Sequence, residues 1–308
     1  MILCSFSNTD YHMAWYEENK LDLFLKANKI DGIELFLHGR YEVPEVLKAL
    51  SKGIHLSYYP TWLDFYLGDE SYFEDFTTEE EVVMAYGGKT PQAMVDNYKK
   101  EFELSKELGV DYMVFHVGHV KLKDVFKGEF DYSNEEVLKA TAHLVNEIFD
   151  QPSEVMLLFE NLWWPGLKLT DKKALDGFMA KINYPSKGVM LDLSHLLLTH
   201  PSLDSYEKGV AYILEIVEAL EDSSDYIKGI HINYSKCYEY LLSLDYENNK
   251  KEHKIYDHIL ASDQHIPFEH EGLKTIIDRI NPKYKVIEVK GIDKEDWENN
   301  VIKQRNYI

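Results

Sequence analysis

The sequence has little cysteine, little arginine and no long apolar run. Its 308 residues include only two cysteines, Cys4 and Cys237, which are too few for a disulfide framework or for a zinc site made of thiolates. No stretch approaches the length of a membrane span, and the first ten residues, MILCSFSNTD, lack the basic segment and apolar core of a signal peptide. We therefore expect a soluble cytoplasmic protein with no membrane partner.

The charge of the chain is strongly one-sided. Lysine and arginine together number 33 against 54 acidic residues, so the formal net charge is −21. Only three of the basic residues are arginines, Arg40, Arg279 and Arg305. Nucleic-acid-binding proteins gain affinity by neutralising phosphates with clustered Lys and Arg. Bound metal ions could reverse the sign locally, but the balance weighs against a nucleic-acid partner and favours a small molecule.

Eight short runs rich in β-branched or aromatic residues are each followed by a segment with helical spacing. The runs are 2–6, 32–37, 54–58, 112–117, 155–160, 189–193, 227–233 and 284–289. Eight such units in a chain of this length are typical of an α/β fold, the (β/α)8 TIM barrel. A doubly wound open sheet is the alternative, but no G-x-G-x-x-G follows the first run. We predict a single barrel domain over residues 1–308.

The segments between these runs carry helix signals. Apolar residues recur every three or four positions from Met94 to Leu108 and stop at Gly109, a residue that commonly ends helices. Ser133 and Glu136 have the spacing of a capping box at the start of another helix. These signals support the alternation of strand and helix.

Two connections are too long to be simple turns. Residues 59–93 follow the third predicted strand and residues 234–270 follow the seventh. Both leave the C-terminal ends of strands, where the active sites of barrel enzymes form. We predict that 59–93 is a lid over the C-terminal face. Simple packing of its aromatic residues, such as Trp62, is the alternative.

Carboxylates and histidines gather where the predicted strands end. They are His55, His116, His119, Glu160, Asp192, His195, His231 and Glu288, with Asn161 and Asn233 beside them and Asp263 and His265 in the seventh connection. Any one of them is more often a structural residue. Four carboxylates and five of these six histidines on one face, however, would repel one another and lose solvation unless cations lie among them. Such ligands suit zinc, manganese, iron or cobalt, so we predict a divalent metal site.

Several short motifs at these strand ends resemble a known superfamily. The motifs are H-x-x-Y, F-H-V-G, F-E-N, D-L-S-H, H-I-N-x-S-K, D-x-H and I-E-V, in this order along nearly the whole chain. Together they resemble the xylose-isomerase-like TIM barrels, which include sugar isomerases, sugar epimerases and the endonuclease IV family of abasic-site nucleases. The stretches WLDFYLGDE, ENLWWPG and DQHIPF also resemble bacterial barrel proteins known only as isomerase-like.

The epimerases of this superfamily imply one divalent ion, zinc or manganese. Its ligands would be Glu160, Asp192, His231 and Glu288. In that interpretation Glu160 and Glu288 also carry protons on opposite faces of the substrate, and His195 contacts the substrate oxygens. Trp62, Asn161 and Lys236 are further candidates for substrate binding.

Endonuclease IV implies three zinc ions instead. Its ligands would be His55, His116, Glu160, Asp192, His195, His231, Asp263, His265 and Glu288, and all nine positions carry a suitable side chain. Tyr234 departs from the nuclease pattern, in which an acidic residue follows the asparagine. The predicted cofactor is therefore one to three divalent ions.

Three functions remain open from the sequence. The first is isomerisation or epimerisation of a sugar or sugar phosphate by removal of a proton next to a carbonyl. The second is hydrolysis of a phosphoester by two or three metal ions. The third is a non-catalytic metal or sugar sensor. The acidic surface and the aromatic connection favour the first narrowly, whereas the complete set of nine ligands favours the second.

Overall fold

The computed structural model describes residues 1–16, 20–37, 39–76, 78–125, 129–200, 202–236, 238–243 and 255–308. Eight parallel strands form a closed barrel in chain order, with β8 pairing to β1. The strands are β1 (Ile2–Ser7), β2 (Gly32–Phe36), β3 (Ser51–His55), β4 (Tyr112–Val117), β5 (Met156–Asn161), β6 (Lys187–Asp192), β7 (Ile227–Ile232) and β8 (Tyr284–Ile287). This confirms the predicted (β/α)8 barrel.

Helices alternate with these strands around the barrel. They are α1 (Asp10–Met13), α2 (Lys20–Ala27), α3 (Glu45–Leu50), α4 (Trp62–Leu67), α5 (Glu79–Tyr86), α6 (Pro91–Leu108), α7 (Leu122–Val125), α8 (Asn134–Ile148), α9 (Lys172–Lys181), α10 (Leu193–Leu198), α11 (Tyr206–Ala219), α12 (Tyr238–Ser243), α13 (Ile255–Ser262), α14 (Gly272–Ile280) and α15 (Lys294–Arg305). Residues Glu70–Asp75 and Glu221–Tyr226 form 3-10 helices. In the described part of the chain, no helix combines the length and apolar character needed to cross a membrane.

The predicted helix signals agree with the structure. Gly109 ends α6 in the left-handed conformation, with φ of +63°. Ser133 precedes α8, its hydroxyl accepts from the backbone N–H of Glu136, and the Glu136 carboxylate accepts from the Ser133 N–H. Both capping contacts of the predicted capping box are therefore present.

The third strand lies three residues earlier than predicted. It spans Ser51–His55 rather than 54–58, so His55 is its last residue and Tyr58 lies beyond it. A glycine and a lysine are poor strand signals in a sequence, but Gly53 is required here by packing. A Cβ atom on Gly53 would lie 2.3 Å from Cζ of Tyr112, whose ring crosses the barrel interior.

Side-chain alternation along the strands separates two cores. Outward-facing residues such as Ile33, Phe159 and Ile230 pack against the helices. Inward-facing residues fill the bottom of the barrel: Leu3, Tyr112, Val114, Leu158, Met190, Tyr284 and Val286. Because side chains on one face of a strand recur every second residue, the next inward positions are the polar ones, as in Leu158–Glu160. The strand register therefore brings the predicted site residues together above an apolar plug.

The connection 59–93 packs against the loop that follows β4. The indole N–H of Trp62 donates to the carbonyl oxygen of Gly118 at 2.9 Å. The backbone N–H of Val120 donates to the carbonyl oxygen of Pro60 at 3.0 Å. His119 belongs to this packing, since its Nδ1 accepts from the backbone N–H of Leu63 at 3.3 Å. Whether this connection is a lid remains a prediction.

The connection 234–270 is described only in part, because residues 237 and 244–254, including Cys237, lie outside the described residues. Tyr234 and Ile266 pair as an isolated antiparallel bridge. This bridge holds the segment that carries Asp263 and His265 against the end of β7.

Candidate metal centre

The nine predicted ligands meet at the C-terminal mouth of the barrel. Together with Glu34, they form four groups. Within each group, the potential ligand atoms lie within 4.8 Å of one another. The groups are His55–His116–Glu160, Glu160–Asp192–His231–Glu288, His195–Asp263–His265 and Glu34–His55–His231. All of these residues are buried except His116, which is partly exposed. The described residues can therefore offer several neighbouring metal sites.

Glu160 lies between the groups and contacts four histidines. Its Oε2 is 3.0 Å from Nε2 of His55 and 3.4 Å from Nε2 of His116. Its Oε1 is 3.2 Å from Nδ1 of His195 and 3.2 Å from Nδ1 of His231. A carboxylate with both oxygens directed to different ligand groups has the position of a bridging ligand.

The Asp192 carboxylate, at the end of its buried strand, accepts two compensating hydrogen bonds. Its Oδ1 accepts from the backbone N–H of His195 at 2.6 Å, which caps α10. Its Oδ2 accepts from the amide of Asn233 at 2.7 Å, and the same amide donates to Glu288 Oε2 at 3.2 Å. Asn233 therefore holds these two carboxylates side by side, although like charges so placed repel each other.

The third group joins α10, which follows β6, to the loop between α13 and α14. Oδ2 of Asp263 lies 2.6 Å from Nε2 of His265 and 3.4 Å from Nε2 of His195. The backbone of His265 is in the left-handed region, with φ of +50°. This backbone conformation costs free energy in a residue that carries a side chain. The loop is therefore strained at the residue that places an imidazole at the centre.

Several buried polar atoms at the centre have no hydrogen-bond partner among the described residues. They are Oε1 of Glu34, Nδ1 of His116, Oε1 of Glu160, Nδ1 of His231 and Oδ1 of Asp263. Oε1 of Glu160 lies 3.2 Å from Nδ1 of His231, but the two atoms do not form a hydrogen bond. Unpartnered buried groups of this kind cost free energy unless a ligand satisfies them. Their donor chemistry, imidazole nitrogen and carboxylate oxygen, fits a divalent ion.

Burial also shifts the proton affinities of these groups in opposite directions. It raises the pKa of Asp192 to about 7 and lowers the pKa of His116 to about 3. Burial works against ionisation of Glu288 as well, but the neighbouring His231 and His265 lower its pKa to about 2. Metal ligands bind as neutral imidazoles and ionised carboxylates. A divalent ion would therefore replace protons that these side chains otherwise share.

Three side chains predicted to bind substrate make other contacts. Trp62 is buried and bonded to Gly118, as described above. The amide of Asn161 bonds to both the N–H and the carbonyl of Asp192, at 2.8 and 3.1 Å, and so fixes the end of β6. Lys236 is exposed, and its ammonium lies 5.5 Å from the centre of the Tyr206 ring. Their role in substrate binding remains a prediction.

The inner cavity, of about 450 Å³, opens beside the centre. Six of the nine predicted ligands line it: His55, His116, His195, Asp263, His265 and Glu288. His195 is thus the one predicted substrate-binding residue that borders this space. Its volume lies in the ordinary range of small-molecule sites.

Glu34 is a member of the centre that the sequence reasoning missed. It is fully buried inside the barrel, one layer below the strand ends. Its Oε2 is hydrogen-bonded to Nε2 of His231 at 3.2 Å, and its Oε1 lies 3.0 Å from the same nitrogen without forming a hydrogen bond. The hydroxyl of Tyr112 donates to its Oε2 at 2.7 Å. The sequence feature that could have identified Glu34 is its position as an acidic residue between the outward-facing Ile33 and Leu35 of a buried strand.

Comparison with known proteins places the chain in one family. Residues 24–301 match the family model described as xylose isomerase-like TIM barrel, so the chain belongs to that family. Its members include isomerases, epimerases and endonuclease IV. No protein of curated function matches the sequence significantly.

Solved structures of low sequence identity share the whole fold. Endonuclease IV from Thermus thermophilus is 16% identical with a TM-score of 0.55, over 99% of this chain and 98% of that one. The 3-keto-D-glucoside 4-epimerase from E. coli is 12% identical with a TM-score of 0.51, over 99% of each chain. The D-allulose 3-epimerase from Methylomonas sp. is 11% identical with a TM-score of 0.52, over 99% and 96%. At these identities the likeness shows the fold alone.

Proposed function

We propose that this chain is a divalent-metal-dependent phosphoester hydrolase with a centre of two or three ions. One observation carries the proposal: the nine candidate ligand side chains lie in three groups, and two of these groups share Glu160. A one-metal isomerase needs only the group of Glu160, Asp192, His231 and Glu288. The other five side chains, four of which are buried, would then be held there at considerable cost without a function.

The charge of the centre supports more than one ion. Glu34, Glu160, Asp192, Asp263 and Glu288 are each at most 6% exposed. Within the described residues, no lysine or arginine side chain forms an ion pair with them. With neutral imidazoles, one divalent ion would leave three of the five negative charges unbalanced. Two or three ions would bring the net charge to within one unit of zero.

The protein side chains would hold and orient the reacting groups. Bound divalent ions would supply positive charge for the phosphoryl oxygens and make a water molecule acidic enough to attack at neutral pH. Asn233 keeps Asp192 and Glu288 in place, and the Asp263–His265 contact fixes the third group. The buried walls exclude bulk water, so these charges act in a medium of low polarity.

The substrate of this proposed hydrolase is a small molecule. A net charge of −21 and a total of three arginines oppose long-range attraction of a polyanion such as DNA. A phosphoester bearing one phosphoryl group needs neutralisation only at the centre itself. The proposed phosphoester chemistry therefore does not require nucleic acid as the substrate.

A sugar isomerase or epimerase is the second candidate, and one observation favours it. Glu160 and Glu288 both belong to the group with Asp192 and His231, so two carboxylates could carry protons to and from one bound sugar. In that case the pKa of Glu288, which lies near 2 because of its histidines, makes it a base rather than an acid at neutral pH.

Two assays on the same zinc- or manganese-loaded protein separate the candidates. Release of inorganic phosphate from a panel of small phosphoesters, lost in Glu160→Gln, is expected for the hydrolase. Exchange of one carbon-bound hydrogen in ketoses incubated in deuterated water is expected for the isomerase. Hydrogen exchange without phosphate release would overturn the hydrolase proposal.

A further inference from the structure

A second cavity, the outer cavity, adjoins the metal centre on its β2–β4 side. It has a volume of about 640 Å³ and is lined by Ser57, Tyr58 and Tyr59 after β3, by Met84 and Ala85 of α5, and by Asn97 of α6, among others. It shares Phe36, His55 and His116 with the inner cavity. A molecule bound at the centre can therefore extend into the outer cavity past these three residues.

The partition between the two cavities is made of rings packed against one another. The Phe36 and His55 rings are stacked at 4.1 Å, and the His55 and His116 rings lie 4.6 Å apart. The ring of Tyr58 lies 4.4 Å from that of His116 on the outer side. Candidate metal ligands are thus the wall of the outer cavity, which makes it part of the same site.

The outer cavity is neutral in a strongly acidic protein. Apart from the two histidines, no residue lining it in the described part of the chain is charged. Its polar groups come from tyrosine, serine and asparagine. Beneath Ser57, the buried Glu101 accepts from the Ser57 N–H at 3.0 Å and from its hydroxyl at 2.5 Å. A cavity with no lysine or arginine disfavours an anionic ligand.

Size and chemistry together indicate what this space accepts. The inner cavity alone is large enough for the reacting group of a small molecule, so the outer volume is available for a second part of the substrate. Tyrosines offer flat apolar faces as well as hydroxyl groups. Serine and asparagine add neutral donors and acceptors. Such a lining suits the hydroxyl groups and C–H faces of a sugar ring.

We propose that the outer cavity is a subsite for the neutral saccharide body of the substrate, whose single phosphoryl group lies at the metal centre. The proposal rests on the proposed hydrolase function and narrows its substrate class to phosphorylated saccharides of more than one ring. A nucleic-acid strand fails this requirement, because its flanking phosphates would enter a space without cations.

Calorimetric titration of the metal-loaded protein with three ligands tests the proposal. The ligands are inorganic phosphate, a hexose phosphonate and a disaccharide phosphonate, since the C–P bond of a phosphonate resists hydrolysis. We expect the disaccharide phosphonate to bind at least tenfold more tightly than inorganic phosphate. Ala85→Trp, which fills the outer cavity, should reduce this ratio at least tenfold. Val83→Trp on the same helix, at an exposed position outside the lining, should leave it unchanged.

The outcomes separate this inference from the proposed function. If inorganic phosphate binds but the ratio is near one, or if Ala85→Trp leaves the ratio unchanged, the subsite is refuted and the hydrolase stands. If phosphate does not bind, while the same disaccharide without its phosphonate group, titrated as a fourth ligand, binds and is weakened by Ala85→Trp, the subsite stands and the hydrolase is refuted. If no ligand binds, both are refuted. Because Ala85→Trp could disturb folding, Asn97→Ala, which removes a polar group without filling space, should lower the same ratio, with metal content as the folding check.

Discussion

Glu34 and His231 lie 3.0 Å apart inside the barrel, Oε1 to Nε2, and both are fully buried. The other imidazole nitrogen of His231 faces Glu160 and Glu288 at 3.2 and 3.1 Å. A carboxylate behind a ligand histidine fixes the orientation of the ring and increases its basicity. We therefore expect Glu34 to position His231 at the centre, although it comes from a strand that supplies none of the predicted ligands.

Replacing Glu34 with glutamine should weaken metal binding. The substitution keeps the size of the side chain but removes its negative charge, and losses of this kind reduce metal affinity by roughly 10- to 100-fold. Competition with a chelator measures the affinity directly, and the visible spectrum of the cobalt-substituted protein reports the geometry at His231. Glu101→Gln is the matched control, because Glu101 is equally buried but contacts Ser57 instead. Equal affinities in the two variants would show that Glu34 has no such role.

Glu160→Gln should remove more metal than Asp263→Asn. Glu160 belongs to two of the three ligand groups, whereas Asp263 belongs to one. Elemental analysis should therefore find a loss of at least one ion more per chain in the Glu160 variant. Metal content that is unchanged in both Glu160→Gln and Asp192→Asn would contradict the assignment of these ligands.

The backbone conformation of His265 should lower the stability of the fold, whereas its side chain should contribute to metal binding. Its φ of +50° is strained for any residue with a Cβ atom, and the left-handed conformation costs about 1 kcal/mol relative to glycine. In metal-free protein we expect His265→Gly to unfold with a free energy about 1 kcal/mol higher than His265→Ala. Both variants should lose metal. The reverse order of stability in urea unfolding would exclude backbone strain at this position.

The stability of the fold should depend on pH through Glu101. Burial raises the pKa of this carboxyl from 4.5 to about 7, against the opposing effect of its bonds from Ser57. The folded chain therefore holds a proton that the unfolded chain releases between these two values, so stability falls as pH rises through this window. The wild type should lose up to about 3 kcal/mol relative to Glu101→Gln between pH 5 and 8. Parallel stability curves for the two proteins would disprove this shift.

Much of the fold and of the centre was accessible from the sequence because both follow strand periodicity. A strand that is apolar on alternate positions and ends in Asp192 or Glu160 indicates a barrel whose inward face becomes polar at its mouth. Glu34 was missed because it lies one layer deeper, where only the approach of Tyr112 and His231 from other strands reveals its role. The start of β3 was misjudged because the need for Gly53 arises from the Tyr112 ring, which is distant in sequence.

The roles of individual side chains near the mouth were less accessible. Trp62, Asn161 and Lys236 have the chemistry of substrate-binding residues, but tertiary contacts decide where each side chain points. Asn161 bonds to the backbone of Asp192, and Trp62 bonds to Gly118. Neither contact can be read from local spacing, because each joins residues that are at least 31 positions apart.

The number of divalent ions per chain tests the central claim most directly. Protein purified and equilibrated with zinc or manganese, then freed of loosely bound ions by gel filtration, can be measured by elemental analysis against protein concentration. The three ligand groups, two of which share Glu160, predict two or three ions per chain, falling by at least one in Glu160→Gln. One ion per chain, or none, would contradict a multinuclear centre and with it the proposed hydrolase.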